Sequence, residues 1–247
     1  NNKYLQDLCC KLLQVLALDR FGDFVNDTVV APVRESCAQT LAAVLNSIDY
    51  LVLTENKDIF FKVFENLKQL ILQQHKDDTD DDGESVQKKI WQASHGGLLG
   101  LLYFVGSKTA FFIENDLLEQ VVEIVLFGLN SHDDDVQSVA SAILLPITNS
   151  FIGLQTEIID LVLMTLWNCI IHRDDDLSSS IGPIMDLLNK LFDHAKIVEL
   201  MKLKFKENDK KWSFHNLVPH LYPFLRHSIT LVRKSVLNLL LRFLSIH

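Results

Sequence analysis

Side chains able to do chemistry gather in three acidic runs: Asp77, Asp78, Asp80, Asp81 and Asp82; Asp133, Asp134 and Asp135; and Asp174, Asp175 and Asp176. Two roles suit aspartates placed just before apolar, helix-forming segments. They can cap the free N–H groups of a helix and face the positive end of its dipole, or they can present a field to a basic surface. Capping accounts for an Asp directly before Val136 and another before Leu177, but not for three in succession at both places. All eleven are therefore expected to contact a partner. The first run sits in Lys76–Ser85, which has six acids, one Lys and no apolar side chain, and is expected to be poorly ordered without a partner.

No constellation for catalysis accompanies them. There is no G-x-S-x-G, H-E-x-x-H or Walker A pattern, so no catalytic residue and no cofactor is expected. Glycines in Trp91–Gly100 follow no strand and precede no G-K-[ST]; Gly96 and Gly100 are expected to let two helices approach closely. Adjacent Cys9 and Cys10 cannot supply two ligands from one helix face, and all four cysteines are expected to be buried, reduced thiols. His215, His220 and His227 do not share a helix face as metal ligands at i, i+4 would, so no metal site is expected.

The acidic runs precede or interrupt helical patterns. The turn Leu18–Val25 leads to Pro32, which suits the first turn of a helix, and from there Val33, Cys37, Leu41, Val44 and Leu45 recur at helical spacing as an inward face. Asp135-Val136-Gln137 before Ala140, and Thr230-Leu231-Val232-Arg233 before Val236, repeat the unit, with weaker copies near Ala93 and Ser179. The steps between copies, about 43 to 60 residues, are those of HEAT-type arrays once two insertions are allowed. The expected fold is all-α: an α-solenoid of about five HEAT-type antiparallel hairpins near 4–48, 57–105, 116–152, 156–193 and 213–247, with an acidic loop at 76–85, a short helix at 195–206 and no β-sheet. Pro146 is expected to kink its helix.

Composition narrows the partners. A formal charge of −9 opposes binding to a phosphate backbone, so no direct nucleic-acid contact is expected. Asp160 interrupts Ile158–Ile171, and Asn149 with Ser150 interrupts Ile143–Leu154, so no run reaches the roughly 18 apolar residues of a membrane span. A start without Met and an apolar final helix suggest a fragment of a longer chain, organised as one array and monomeric. These features alone suit any HEAT scaffold, of the transport-receptor or phosphatase-subunit type included.

Longer motifs discriminate. Leu18–Val25, Val29–Glu35 with Cys37–Leu41, His95–Gly100, Gly128-Leu129 through Asp133–Val136, and Leu217–Pro219 with Tyr222–Leu225 together resemble the TATA-box-binding-protein-associated ATPase family. The match is thin over Asn46–Ile90 and Asp193–Phe214. The sequence departs from the family at Ala93-Ser94, at Gln137 and in the insert after His75. That resemblance implies the amino-terminal HEAT array of a nuclear transcription regulator, which grips the TATA-binding protein. It also implies a separate DNA-translocating motor that uses ATP to remove that protein from promoter DNA. No motor motif occurs in this chain, so an enzyme is not expected.

Overall fold

The computed structural model describes residues 2–18, 24–25, 28–29, 32–48, 54–72, 83–171, 180–206 and 212–246. The fold is all-α, of the α-solenoid class, and divides into two compact units, Asn1–Gly128 and Leu129–His247. One small ladder departs from the expectation of no β-sheet: β1 (Phe24–Val25) pairs antiparallel with β2 (Thr28–Val29), Phe24 opposite Val29. At two residues a strand it leaves the fold class unchanged.

In the first unit α1 (Asn2–Leu18), α2 (Pro32–Asn46), α3 (Thr54–Leu72) and α4 (Gly83–Ser107) pack around one another. α4 runs antiparallel to α3: Gly97 lies against Ile71, and Gly100 against Leu67. Because α4 starts at Gly83, the last three residues of the expected loop 76–85 are helical. A helix that the apolar pattern does not announce, α5 (Thr109–Glu114), drives Phe111 and Phe112 into the core. There Phe112 meets Phe104 with ring centroids 4.9 Å apart and Phe64 at 5.5 Å, both edge-on, the arrangement the ring quadrupole favours. The helix is closed by Asp116 in the left-handed region, φ 55°, with N–H bonds from Asp116 to Ile113 O and from Leu117 to Phe112 O that turn the chain into α6 (Leu118–Leu129).

The second unit contains α7 (Asp134–Ile143), α8 (Thr148–Phe151), α9 (Thr156–Ile171), α10 (Ile181–Leu191), α11 (Ala195–Lys206), α12 (Phe214–Leu217) and α13 (Thr230–Ile246). Pro146 does more than kink: α7 stops at Ile143, Leu145 and Ile147 bond three residues back, and the helix restarts as α8. Where a helix from His215 to Arg226 is expected, α12 gives way to two 3-10 turns, Val218–Leu221 and Pro223–Arg226. Pro219 and Pro223 fall in the interior of that expected helix, where each removes an N–H that the α-helical ladder needs, and each instead stands in the first turn of a 3-10 segment.

Helices α7, α10 and α13 form a parallel row. Near their N-terminal ends Ser180 Oγ bonds Gln137 Oε1 at 3.3 Å, and Gly182 faces Val232. Further along, Asn189 Nδ2 donates to Ser235 O at 2.8 Å, and Arg242 Nη1 to Phe192 O at 3.2 Å. The row brings the N-terminal ends of these helices to one edge.

Candidate functional site

Of the expected partner-binding residues, Asp133, Asp134 and Asp135 are described, whereas Asp77, Asp78, Asp80, Asp81, Asp82, Asp174, Asp175 and Asp176 lie outside the described residues. The described triplet opens α7. Asp133 is the N-cap: its carboxylate accepts the N–H groups of Asp135 (3.1 Å) and Val136 (3.0 Å), satisfying donors that the first turn leaves without intrahelical partners. Ser131 braces the approach, its hydroxyl accepting the Asp133 N–H at 3.1 Å and its carbonyl accepting Gln137 Nε2 at 2.7 Å. Gln137 in turn accepts from Ser180, so the acidic turn is tied to the start of α10.

Burial pushes the Asp133 carboxyl up from its ordinary range; the two N–H groups oppose that rise, and the charges of Asp135 and Asp134 add to it. Three carboxylates, all half-buried, are thus held on a fixed turn. Such a turn can stabilise a cation or a guanidinium brought to it.

A second cluster brings together motifs far apart in sequence. Arg34 of α2 is fully buried, its guanidinium 5.4 Å from the Trp91 ring centroid and bonded to Gln92 O at 3.4 Å. His95 is buried edge-on to Trp91, and burial, then the charge on Arg34, lowers its pKa to about 3. The inward face of α2 is therefore Arg34, Cys37, Ala38, Leu41, Ala42 and Leu45, with Val33 43% exposed, which reverses the expected placement of Val33. Arg34 and His95 are core residues here rather than an exposed contact.

The remaining candidates are dispersed. His215 and His220 are exposed, and His227 is buried, its Nδ1 accepting the Ile229 N–H at 3.0 Å. Among the described residues no group of three or more His, Cys, Asp or Glu side chains is placed to hold a metal. Cys9 and Cys37 are buried, as expected of all four; Cys10 is exposed and Cys169 half-buried, because neighbouring positions on a helix point to different faces. Among the described residues no helix is long and apolar enough to cross a membrane.

No family model matches the chain. Relatives match along its whole length. TATA-binding protein-associated factor MOT1 of Saccharomyces cerevisiae is 53% identical over 246 residues, covering 100% of this chain and 12% of that protein. Human TATA-binding protein-associated factor 172 is 36% identical over 245 residues, and Arabidopsis thaliana TATA-binding protein-associated factor BTAF1 is 31% identical over 267, each covering 99% of this chain and 12% of the relative. An engineered protein of known structure aligns at 16% identity with a TM-score of 0.38, covering 97% of each chain. With one region of these proteins matched from end to end, and at 53% identity in the yeast relative, the chain belongs to the TATA-binding protein-associated factor family.

Proposed function

We propose that this chain is a non-catalytic scaffold, one monomeric array of HEAT-type hairpins over residues 1–247, that grips the TATA-binding protein. It does so for a nuclear transcription regulator whose ATP-driven motor lies in another part of the polypeptide. The observation that carries this reading is whole-length similarity to TATA-binding protein-associated factors, of which the chain spans 12%. The partner comes to this chain from that likeness. The chemistry for holding it is acidic: the turn at Asp133–Asp135, joined in our reading by Asp174–Asp176 and by Asp77, Asp78, Asp80, Asp81 and Asp82. As the resemblance supplies it, the TATA-binding protein carries basic side chains away from its DNA-binding face. An acidic edge would steer and hold it there while leaving DNA to other parts of the full protein.

Binding of the chain to purified TATA-binding protein across a salt series tests this. The variant Asp133→Asn, Asp134→Asn, Asp174→Asn, Asp175→Asn keeps side chains able to cap while removing four charges. It should bind more weakly, with a shallower salt dependence and an unchanged melting temperature. Unaltered affinity and salt dependence would make the aspartates structural, and a wild-type chain that does not bind would remove the partner.

A further inference from the structure

Helix α9 carries Met164, Trp167, Asn168 and Ile171 at i, i+3, i+4 and i+7, so the four share one face. With Trp212, Asn216 and His220 of the segment 212–220 that face lines a cavity of about 460 Å³, a volume usual for sites that take a small ligand or a single bulky group. Trp167 and Trp212 are buried and form its inner wall, whereas Met164, Asn168, Asn216 and His220 are exposed and mark its mouth.

Both indoles are fixed by the fold. Trp167 packs on Phe243 with ring centroids 5.5 Å apart. Lys204 Nζ stands 4.8 Å from the Trp212 ring centroid and pairs with Asp160 of α9 at 2.8 Å, which ties Trp212 to the opposite wall. Asp160 takes up the charge of that lysine, and none of the described residues lining the cavity is Asp, Glu, Lys or Arg. In a chain with 22% charged residues, such a lining selects an uncharged occupant. Trp167 is only 2% exposed, and its Nε1–H has no hydrogen-bond partner among the described residues. A buried donor without an acceptor is costly, so an occupant that supplies an oxygen there recovers free energy.

We propose that this cavity takes an aromatic side chain presented on an uncharged stretch of a partner protein, its ring against the two indoles and its main-chain carbonyl accepting the Trp167 Nε1–H. Indole walls favour an aromatic ring over an aliphatic group, because offset and edge-on ring pairs add to the area buried. The exposed mouth lets the rest of the peptide continue outside, and walls already fixed lower the ordering that binding requires. This site is independent of the acidic turn at Asp133 and of the partner read for it.

Indole N–H resonances of the 247-residue chain report on the cavity directly, because Trp167 and Trp212 line it and Trp91, the third tryptophan, does not. The probes are the capped peptides acetyl-Gly-Ser-Phe-Ser-Gly-amide and acetyl-Gly-Ser-Ala-Ser-Gly-amide, titrated into the millimolar range. The phenylalanine peptide should move the Trp167 and Trp212 signals saturably and leave Trp91 in place, with the alanine peptide weaker by about tenfold or more. Trp167→Phe keeps a ring and removes the donor, and should weaken the phenylalanine peptide by about threefold or more, read at Trp212. Asn168→Phe, at an exposed position on the mouth, fills the cavity from the chain itself and should abolish the shifts at an unchanged melting temperature; it decides the matter if Trp167→Phe does not fold. Absence of a saturable shift, equal shifts with both peptides, or undiminished binding in Asn168→Phe overturns the site. Undiminished binding in Trp167→Phe overturns the hydrogen bond.

Discussion

Gly96 of α4 lies directly against the backbone carbonyl of Leu16 in α1, and a Cβ at position 96 would overlap that oxygen. A backbone carbonyl cannot rotate away as a side chain can, so α1 and α4 would have to separate. Gly96→Ala is expected to destabilise the chain by about 3 kcal/mol or more, read from the midpoint of urea unfolding. Gly106, near the end of the same helix, has open space around it, with no atom within 4 Å of where a Cβ would stand. There Gly→Ala should raise stability by up to about 1 kcal/mol through backbone entropy. Equal effects at the two sites would show that the close approach at Gly96 is unimportant.

Arg34 is buried because its guanidinium is planar and weakly hydrated, and can lie over the Trp91 ring while bonding Gln92 O. A lysine ammonium is compact and strongly hydrated and fits neither contact. Arg34→Lys should cost about 2 kcal/mol or more of stability despite keeping the charge. Retention of the wild-type unfolding midpoint by the lysine variant would contradict this.

His95 couples the same cluster to pH. Its folded pKa of about 3 lies below the ordinary 6.5, so the unfolded chain binds the extra proton between these values, and stability falls as pH drops below 6.5 towards 3. At pH 5 the loss assigned to this group is about 2 kcal/mol. Unfolding free energies at pH 7 and pH 5 should differ less in His95→Gln than in the wild type, and identical pH dependence would rule the assignment out.

Asp133 acts with the opposite sign. Its folded pKa is raised, so the folded chain holds the proton longer and stability contributed by this carboxyl declines as pH rises through the carboxylate range. Asp133→Asn should keep the cap and lose this dependence, whereas Asp133→Ala should cost about 1 kcal/mol at neutral pH. Thermal melts from pH 4 to 7 distinguish the two; equal loss in both variants would mean that capping is not what Asp133 contributes.

Helical periodicity alone specified α3, α6 and α9, because their apolar residues recur often enough that only one face can be buried. That an aspartate of this turn caps α7 was legible, since a cap is a local bond between a side chain and nearby N–H groups, but the cap is Asp133 rather than the aspartate directly before Val136, because the helix starts two residues earlier than that reading places it. Pro146 announced an interruption, but whether it kinked or broke its helix depended on which shorter-range bonds the surroundings allowed, and Pro219 and Pro223 replaced an expected helix with 3-10 turns. Only tertiary structure decided that Arg34 faces inward and Val33 outward. A stripe beginning at either residue continues through Cys37 and Leu41, and the choice rests on the ring of Trp91, distant in sequence, accepting the guanidinium. Local bonds and period are written in neighbouring residues, whereas the face a residue presents is settled by what the rest of the chain brings against it.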